Sequence, residues 1–506
     1  MKPLYRPRTV ALLVGLVVIA SADIGSPNVI FDGSAGPYPV RIVVRPPSVV
    51  PGLADVIVRV EASDVARVVL RPVYARVGIN GAPQGDDAKP IAGQRGVYTG
   101  QLWLMVRGAY SVYVTVSGPR GSGTAIVPVN SFATGRLGLS TGLGALLAVL
   151  GALLLAGLVT IVRAASGESL LPPGQTLDAR TRRRANLTAI IATPLLALLV
   201  LGGAKWWNTV DAQYQRTMYR PPAVDASVTV DSAGGGVVRR TLSLSLHDTA
   251  SYRALLSAVI PDHGKMMHLF LVKDPDLDAF AHLHPTQTDS LGFGTDVPGV
   301  PAGRYRLFGD LALENGTTLT VSTSVDLPPL PLVPAPPRDS DDAWSVAPAV
   351  ARLWPGATVP IENGRLLMIW AGTATPFHAG EVTELRFAVR TRDGAPATLE
   401  PYLGMAAHAV VMDHDGSVFV HLHPMGTVSA AAQEVFVLRD RGDTTRAGGL
   451  RAGSTGMNTT MQMAAPVASE FTLPYEFPKP GRYRIWVQVK ADGVPWTAAF
   501  DADVVR

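Results

Sequence analysis

With 506 residues the chain is too long for one compact core, and 47% hydrophobic residues with 50 glycines and 41 prolines point to turn-rich strand domains together with membrane segments. A net charge of +4, without a basic stripe, zinc-finger spacing or phosphate-binding glycine loop, gives no nucleic-acid footprint. The lack of any cysteine removes disulfides, thiolate metal sites and cysteine nucleophiles, and it fits an oxidising compartment.

In chain order, residues 1–22 carry Lys2, Arg6 and Arg8, an apolar run over 10–20, and the small-residue site Ala20-Ser21-Ala22. This pattern predicts a signal peptide, or an N-terminal anchor if it is not cleaved. Residues 24–132 follow in short β-branched runs such as "YPVRIVVRPP" and "GAYSVYVTVSG", separated by Gly and Pro. They predict an exported β-sandwich, and they contain no histidine. Two uncharged runs come next, 139–162 and 187–204, each long enough to cross a bilayer core. The segment between them, 163–186, holds Arg163, Arg180, Arg182, Arg183 and Arg184 against Glu168 and Asp178. The positive-inside rule places that basic loop in the cytoplasm, and Trp206, Trp207, Tyr214 and Tyr219 supply an aromatic belt past the second span. The expected location is therefore the inner membrane, with most of the chain on the periplasmic side.

Residues 224–326 and 345–506 return to strand texture and share a phrase, "PAGRYRLFGDLAL" in one and "PKPGRYRIWVQVK" in the other. A second shared phrase lies upstream, His-Leu-His-Pro at 282–285 and again at 421–424. The two phrases argue an internal duplication. Six prolines between Pro328 and Pro337 make residues 327–343 a semi-rigid polyproline linker. The fold class expected is mainly β, with three immunoglobulin-like or cupredoxin-like β-sandwich modules and a two-helix transmembrane hairpin.

All ten histidines lie at or after His247 and no later than His423. Aligning the copies sets "HGKMMHLFLV" beside "LGMAAHAVVM", so His268 corresponds to His408, upstream of the paired His282/His284 and His421/His423. Each set reads as a hairpin whose alternate residues share a face about 6.6–7 Å apart. A cross-strand neighbour then brings three imidazoles together in each copy. Three imidazoles suit a zinc or copper site with one open position. His263 can add a fourth ligand in the first copy. The second copy has Leu403 there and Met405 in place of Lys265. A mixed His/Met set favours copper over zinc. The competing reading is that these histidines brace hairpin turns. Met457, Met461 and Met463, on a polar loop, are candidates for capturing Cu(I), whereas His247, His378 and His414 read as incidental.

Over residues 260–310 and 400–426 the chain resembles a loose family of exported bacterial proteins with "MH(L)xxV…FxHLHP" hairpins, of the YtkA-like and periplasmic copper-resistance kind. The resemblance implies small immunoglobulin-like or cupredoxin-like sandwiches, and metal binding at His268, His282, His284, His408, His421 and His423. The two-helix insertion departs from the usual single-domain pattern. No hydrolase, cupin or glycosidase constellation is present, so no catalysis is expected. The leading expectation is a membrane-anchored periplasmic copper protein for storage, resistance or delivery to a metal-accepting partner. The alternative is a non-catalytic scaffold whose modules dock on a membrane complex.

Overall fold

A computed structural model describes residues 23–24, 28–169, 171–172, 174–234, 237–247, 257–330, 333–334, 339–347, 354–372, 376–443, 450 and 467–506. The expected signal peptide, part of the proline linker and the Met457/Met461/Met463 loop lie outside these residues. The protein is mainly β, with six sheets among the described residues and two long apolar helices. It divides into two compact units, one of Met1–Pro46, Leu53–Ser131 and Pro221–Arg506, the other of Pro47–Gly52 and Phe132–Arg220.

The smaller unit carries the helices Thr141–Glu168 and Ala179–Thr217, started by the Ser140 and Asp178 side chains, which accept from the amides of Leu143 and Thr181. Both are long and apolar enough to cross a membrane. They extend beyond the apolar runs, so the basic loop expected over 163–186 shrinks to the residues between Glu168 and Ala179. Alanine and arginine are strong helix formers, which lets the helices continue past the hydrophobic boundary.

In the larger unit, alternation produces the early strands. "GLADVIVRV" over Gly52–Val60 buries every second residue, and Val40, Ile42, Val56 and Val58 close one core against Val112, Val114 and Val127. The two later copies repeat each other in backbone detail. Each has a hairpin, His268–Lys273 with Ala279–Leu283 in the first and His408–Asp413 with Val418–Leu422 in the second. Their registers match, Phe270 facing His282 and Val410 facing His421. Each hairpin lies beside the strand of the shared phrase, Gly303–Leu313 or Gly481–Ala491. The phrase tyrosines make the same bond, Tyr305 donating to Pro301 O and Tyr483 to Lys479 O, both at 2.8 Å. A tight turn precedes each hairpin, closed by paired backbone bonds between Asp262 and Lys265 or between Tyr402 and Met405.

Two short segments join sheets that their place in the chain does not predict. Asp23–Ile24 pairs in parallel with Val418–Phe419, and Ala343–Val346 adds to the edge of the first hairpin at Ala279–His282. Both cover backbone groups that an edge strand leaves unpaired. The sequence also gave no warning of the helix Ala430–Asp440, capped by Ser429. Its Val435 and Leu438 pack on Ile260 and Ala312, and its Phe436 packs on Val73, Ala109 and Tyr113.

The copies meet through their hairpin sheets. Phe270, Val272, Leu277, Phe280 and Phe308 from the first interlock with Val410, Met412, Phe419, Trp486 and Ala499 from the second. Phe308 stacks on Phe419 at 4.0 Å and Phe280 on Trp486 at 4.9 Å. Two arginines tie the rims. Arg484 donates to Leu277 O at 2.7 Å, and Arg306 lies so close over Gly416 that a Cβ there would collide with its guanidinium. Phe419→Ala should cost about 3–5 kcal/mol through the cavity it leaves. Chemical denaturation of the purified protein reads this as a lower midpoint.

Candidate metal centre

The aromatic face shared by the two copies turns into an imidazole face two residues further along its strands. Seven histidines, His263, His268, His282, His284, His408, His421 and His423, pack ring against ring there. Strand parity puts the six hairpin histidines on one side, since residues i and i+2 point the same way, and His263 reaches the same face from the turn before the first hairpin. The ligand atoms of His268, His282 and His284 lie within 4.8 Å of one another, and so do those of His263, His408 and His423. A third group joins His284 to Asp339 and Asp342. The sequence expectation of one site per copy is thereby altered. His263, counted with the first copy, groups with two histidines of the second.

Of the other sequence candidates, His421 stands between the groups, its Nδ1 3.4 Å from Asp310 Oδ2. Met405 is half-buried in the turn that matches that of Lys265, bonded through its backbone to Tyr402. Lys265 itself pairs with Asp339 at 2.7 Å and with Asp341 at 3.0 Å. His247 pairs with Asp225, and His378 with the Arg506 carbonyl.

Neighbouring groups fix the tautomers of His268 and His282. His268 Nε2 faces the Asp262 carbonyl at 3.2 Å and must donate to it, which leaves Nδ1 as a lone pair. His282 Nδ1 faces Gln488 Oε1 at 2.8 Å and the Tyr402 hydroxyl at 3.3 Å. That hydroxyl already donates to Asp341 O at 2.7 Å, and the Gln488 amide nitrogen donates to Thr497 Oγ1, so both oxygens facing His282 are acceptors. His282 Nδ1 therefore carries the proton and Nε2 is bare. His284 Nδ1 lies 3.0 Å from Asp342 Oδ1, which leaves its Nε2 buried without a partner. The two lone pairs of His268 Nδ1 and His282 Nε2 thus face each other at 3.1 Å. Such a pair repels unless a cation lies between them. Two bonds of about 2.05 Å to one ion across that gap enclose an angle of about 100°, an ordinary coordination angle.

Electrostatics keep these rings in ligand form. Burial, with neighbouring imidazoles adding to it, pushes His282, His284, His408 and His423 well below the ordinary histidine range and His268 down to about 3. They are neutral at pH 7. Burial raises Asp342 to about 7, with Asp339 adding to the effect. Asp262 is driven up by burial, but His263, His268, the Ser429 hydroxyl and the Ala431 amide outweigh this and lower it.

Sequence reading missed the groups that orient the rings, Asp262, Asp310, Asp342, Tyr402 and Gln488. One signal was present. Asp310 and Gln488 occupy the same place in the shared phrase, each a polar residue in its apolar second half.

Residues 223–328 and 368–506 match the family described as a domain of unknown function (DUF8832). That match takes in both copies with their hairpins. No curated protein matches the chain. Among solved structures, the tetra-tandem repeat in the extending region of a large adhesion protein aligns at 9% identity and a TM-score of 0.15, covering 94% of this chain and 82% of that one. Escherichia coli alpha-2-macroglobulin aligns at 9% identity and a TM-score of 0.20, over 94% of this chain and 24% of that one. Salmonella alpha-2-macroglobulin reacted with methylamine gives 8% identity and a TM-score of 0.20, over 95% and 24%. This chain spans about a quarter of the macroglobulins' length. At these scores the alignments carry no argument about fold or function.

The neutral rings predict a pH dependence for the metal-free protein. Unfolded imidazoles take up protons near their ordinary value of 6.5, and the folded ones refuse them down to about 3 for His268. The histidine contribution is then full above about pH 6.5 and falls as the pH drops through that window, with Asp342, raised to about 7, opposing it as one group against five. Thermal unfolding in chelator, from about pH 7.5 to about pH 4.5, should show a steadily falling midpoint. A flat profile would contradict the neutral assignment.

Proposed function

We propose that this is a membrane-anchored, non-catalytic periplasmic protein that binds copper in the imidazole cluster between its duplicated domains. The observation that carries this reading is the pair of bare nitrogens, His268 Nδ1 and His282 Nε2, 3.1 Å apart, with the unpartnered His284 Nε2 beside them. A hairpin brace bonds its ring nitrogens to turn carbonyls, as His268 Nε2 does with Asp262 O, whereas His268 Nδ1 and His282 Nε2 face each other. The acceptors behind them, Gln488, Asp262 O and Asp342, are the kind of outer groups that fix the tautomer of metal-bound imidazoles.

Copper is favoured over zinc because an all-imidazole set binds Cu(II) most tightly among the divalent first-row ions, and the methionine-bearing turn at 402–405 suits Cu(I). The apolar helices, the N-terminal signal pattern, the missing cysteines and the resemblance to copper-handling sandwiches support an extracytoplasmic, immunoglobulin-like or cupredoxin-like setting. The burial of His268, His282 and His284 favours storage or resistance over rapid hand-over. The scaffold alternative expects rings that point apart or bond to nearby carbonyls; His268 Nε2 does face the Asp262 carbonyl, and the grouping of the other ring nitrogens is what supports the metal reading.

The test is titration of the detergent-solubilised full chain with Cu(II), and with Cu(I) under reductant, against a competing chelator. A variant combining His282→Ala with His284→Ala is run beside it. Tight copper binding, weakened at least a hundredfold in a variant that keeps the wild-type circular dichroism spectrum, is expected. Binding no tighter than that of surface histidines would overturn the copper reading and turn attention to a docking partner.

A further inference from the structure

We infer that the cluster is one dinuclear centre, its second ion held by His263 of the first copy together with His408 and His423 of the second. This rests on the metal reading above and extends it to a shared site with two ions. The first support is chemical. His408 and His423 are 0% and 4% exposed, yet both ring nitrogens of each have no hydrogen-bond partner, and His263 Nε2 has only the Asp262 carboxylate, 3.5 Å away. A buried polar group left unpaired costs about 1–3 kcal/mol, and one ion among the three rings would satisfy one nitrogen of each. Histidines retained only to brace turns would not be left so.

The second support is the pattern of the duplication. The turns before the two hairpins have the same left-handed residue, His263 at φ 51° and Leu403 at φ 49°, each followed by a left-handed glycine. The second copy thus carries leucine where the first carries a ligand. The missing imidazole is supplied from across the interface, where His263 comes within 5.8 Å of His408 and 5.3 Å of His423, ring to ring.

The third support is that each half orients the other. His282 of the first copy is held by Gln488 of the second, and His421 of the second faces Asp310 of the first. Behind them Gln488 binds Thr497, and Asp310 binds Thr320, at matching strand positions. The arrangement is a pseudo-two-fold in which neither half is complete alone. His421 lies near both groups, its ring 5.1 Å from that of His268 and 5.4 Å from that of His408, with Nε2 unpartnered. It is placed to complete the coordination of one ion. Rings of opposite groups approach to 6.2 Å for His263 with His268 and 6.4 Å for His282 with His408. Ions about 2 Å from their nitrogens are then near enough for through-space dipolar broadening of each other's signal.

The test loads the detergent-solubilised full chain with Cu(II) and measures copper per chain together with the electron paramagnetic resonance spin count. Two ions per chain, with a spin count well below the copper content or a dipolar-broadened spectrum, are expected. His263→Leu installs the residue that the sister turn already carries at this backbone conformation. It should reduce the stoichiometry from two to one and restore the spectrum of an isolated ion. One ion per wild-type chain would overturn the dinuclear centre and leave the metal reading standing, and no copper at all would remove both. Two ions with a full, unbroadened spin count, or two ions retained in the His263→Leu variant, would refute the shared centre by placing the ions in separate sites.

Discussion

The two copies press the same face of the same strands against each other, and that face changes chemistry along its length. At one end it is aromatic, with Phe270, Phe308, Phe419 and Trp486 stacked into a dry layer. Two residues on, the same strands present His268, His282, His408 and His421. The aromatic layer fixes the separation and angle of the sheets, and the imidazoles inherit that geometry. Because the layer excludes water, it also keeps the imidazoles neutral. Sheet packing therefore sets both the spacing of the ligands and their protonation.

A layer of neutral imidazoles is costly to bury, and the surrounding groups show how the cost is met on one side. Asp262 O settles the tautomer of His268, Gln488 and Tyr402, the latter donating to Asp341 O, settle that of His282, and Asp342 partners His284. Around the second group no comparable chain exists among the described residues. The helix Ala430–Asp440 contributes indirectly. The amide of Ala431, in its first turn, donates to Asp262 Oδ1, placing that carboxylate 3.5 Å from His263 Nε2. Gly426 secures the other side, where a Cβ would strike the Ile30 carbonyl and only glycine allows the backbone after His423 to approach so closely.

Much of this was legible in the chain itself. The strand alternation, the two apolar helices, the duplicated phrases and the hairpin face shared by His268, His282 and His284 all follow from local periodicity, which physical chemistry ties directly to burial. What periodicity cannot show is pairing across the duplication. His282 and Gln488 are 206 positions apart, and only sheet-on-sheet packing brings them together. His263 was read with its sequence neighbours because the alignment of copies assigns it there, whereas the fold turns it toward the other copy. Asp341 and Asp342 sat in what read as a proline spacer, since nothing local announces that Ala343–Val346 would add an edge strand beside His282.

The divergence of the copies is as informative as their likeness. A perfect repeat would place Asp310 twice and His263 twice. This chain instead carries Asp310 opposite Gln488 and His263 opposite Leu403. A carboxylate lies 3.4 Å from His421 Nδ1, whereas the neutral amide oxygen behind His282 accepts a hydrogen bond from that ring. The rings on either side of the pseudo-two-fold thus face different partners although they share backbone geometry. In the metal reading, that difference makes the two ligand sets unequal in the charge they offer a cation. The asymmetry arises from substitutions at matched positions of one repeated strand, so the duplication supplies the frame and the departures from it supply the distinction.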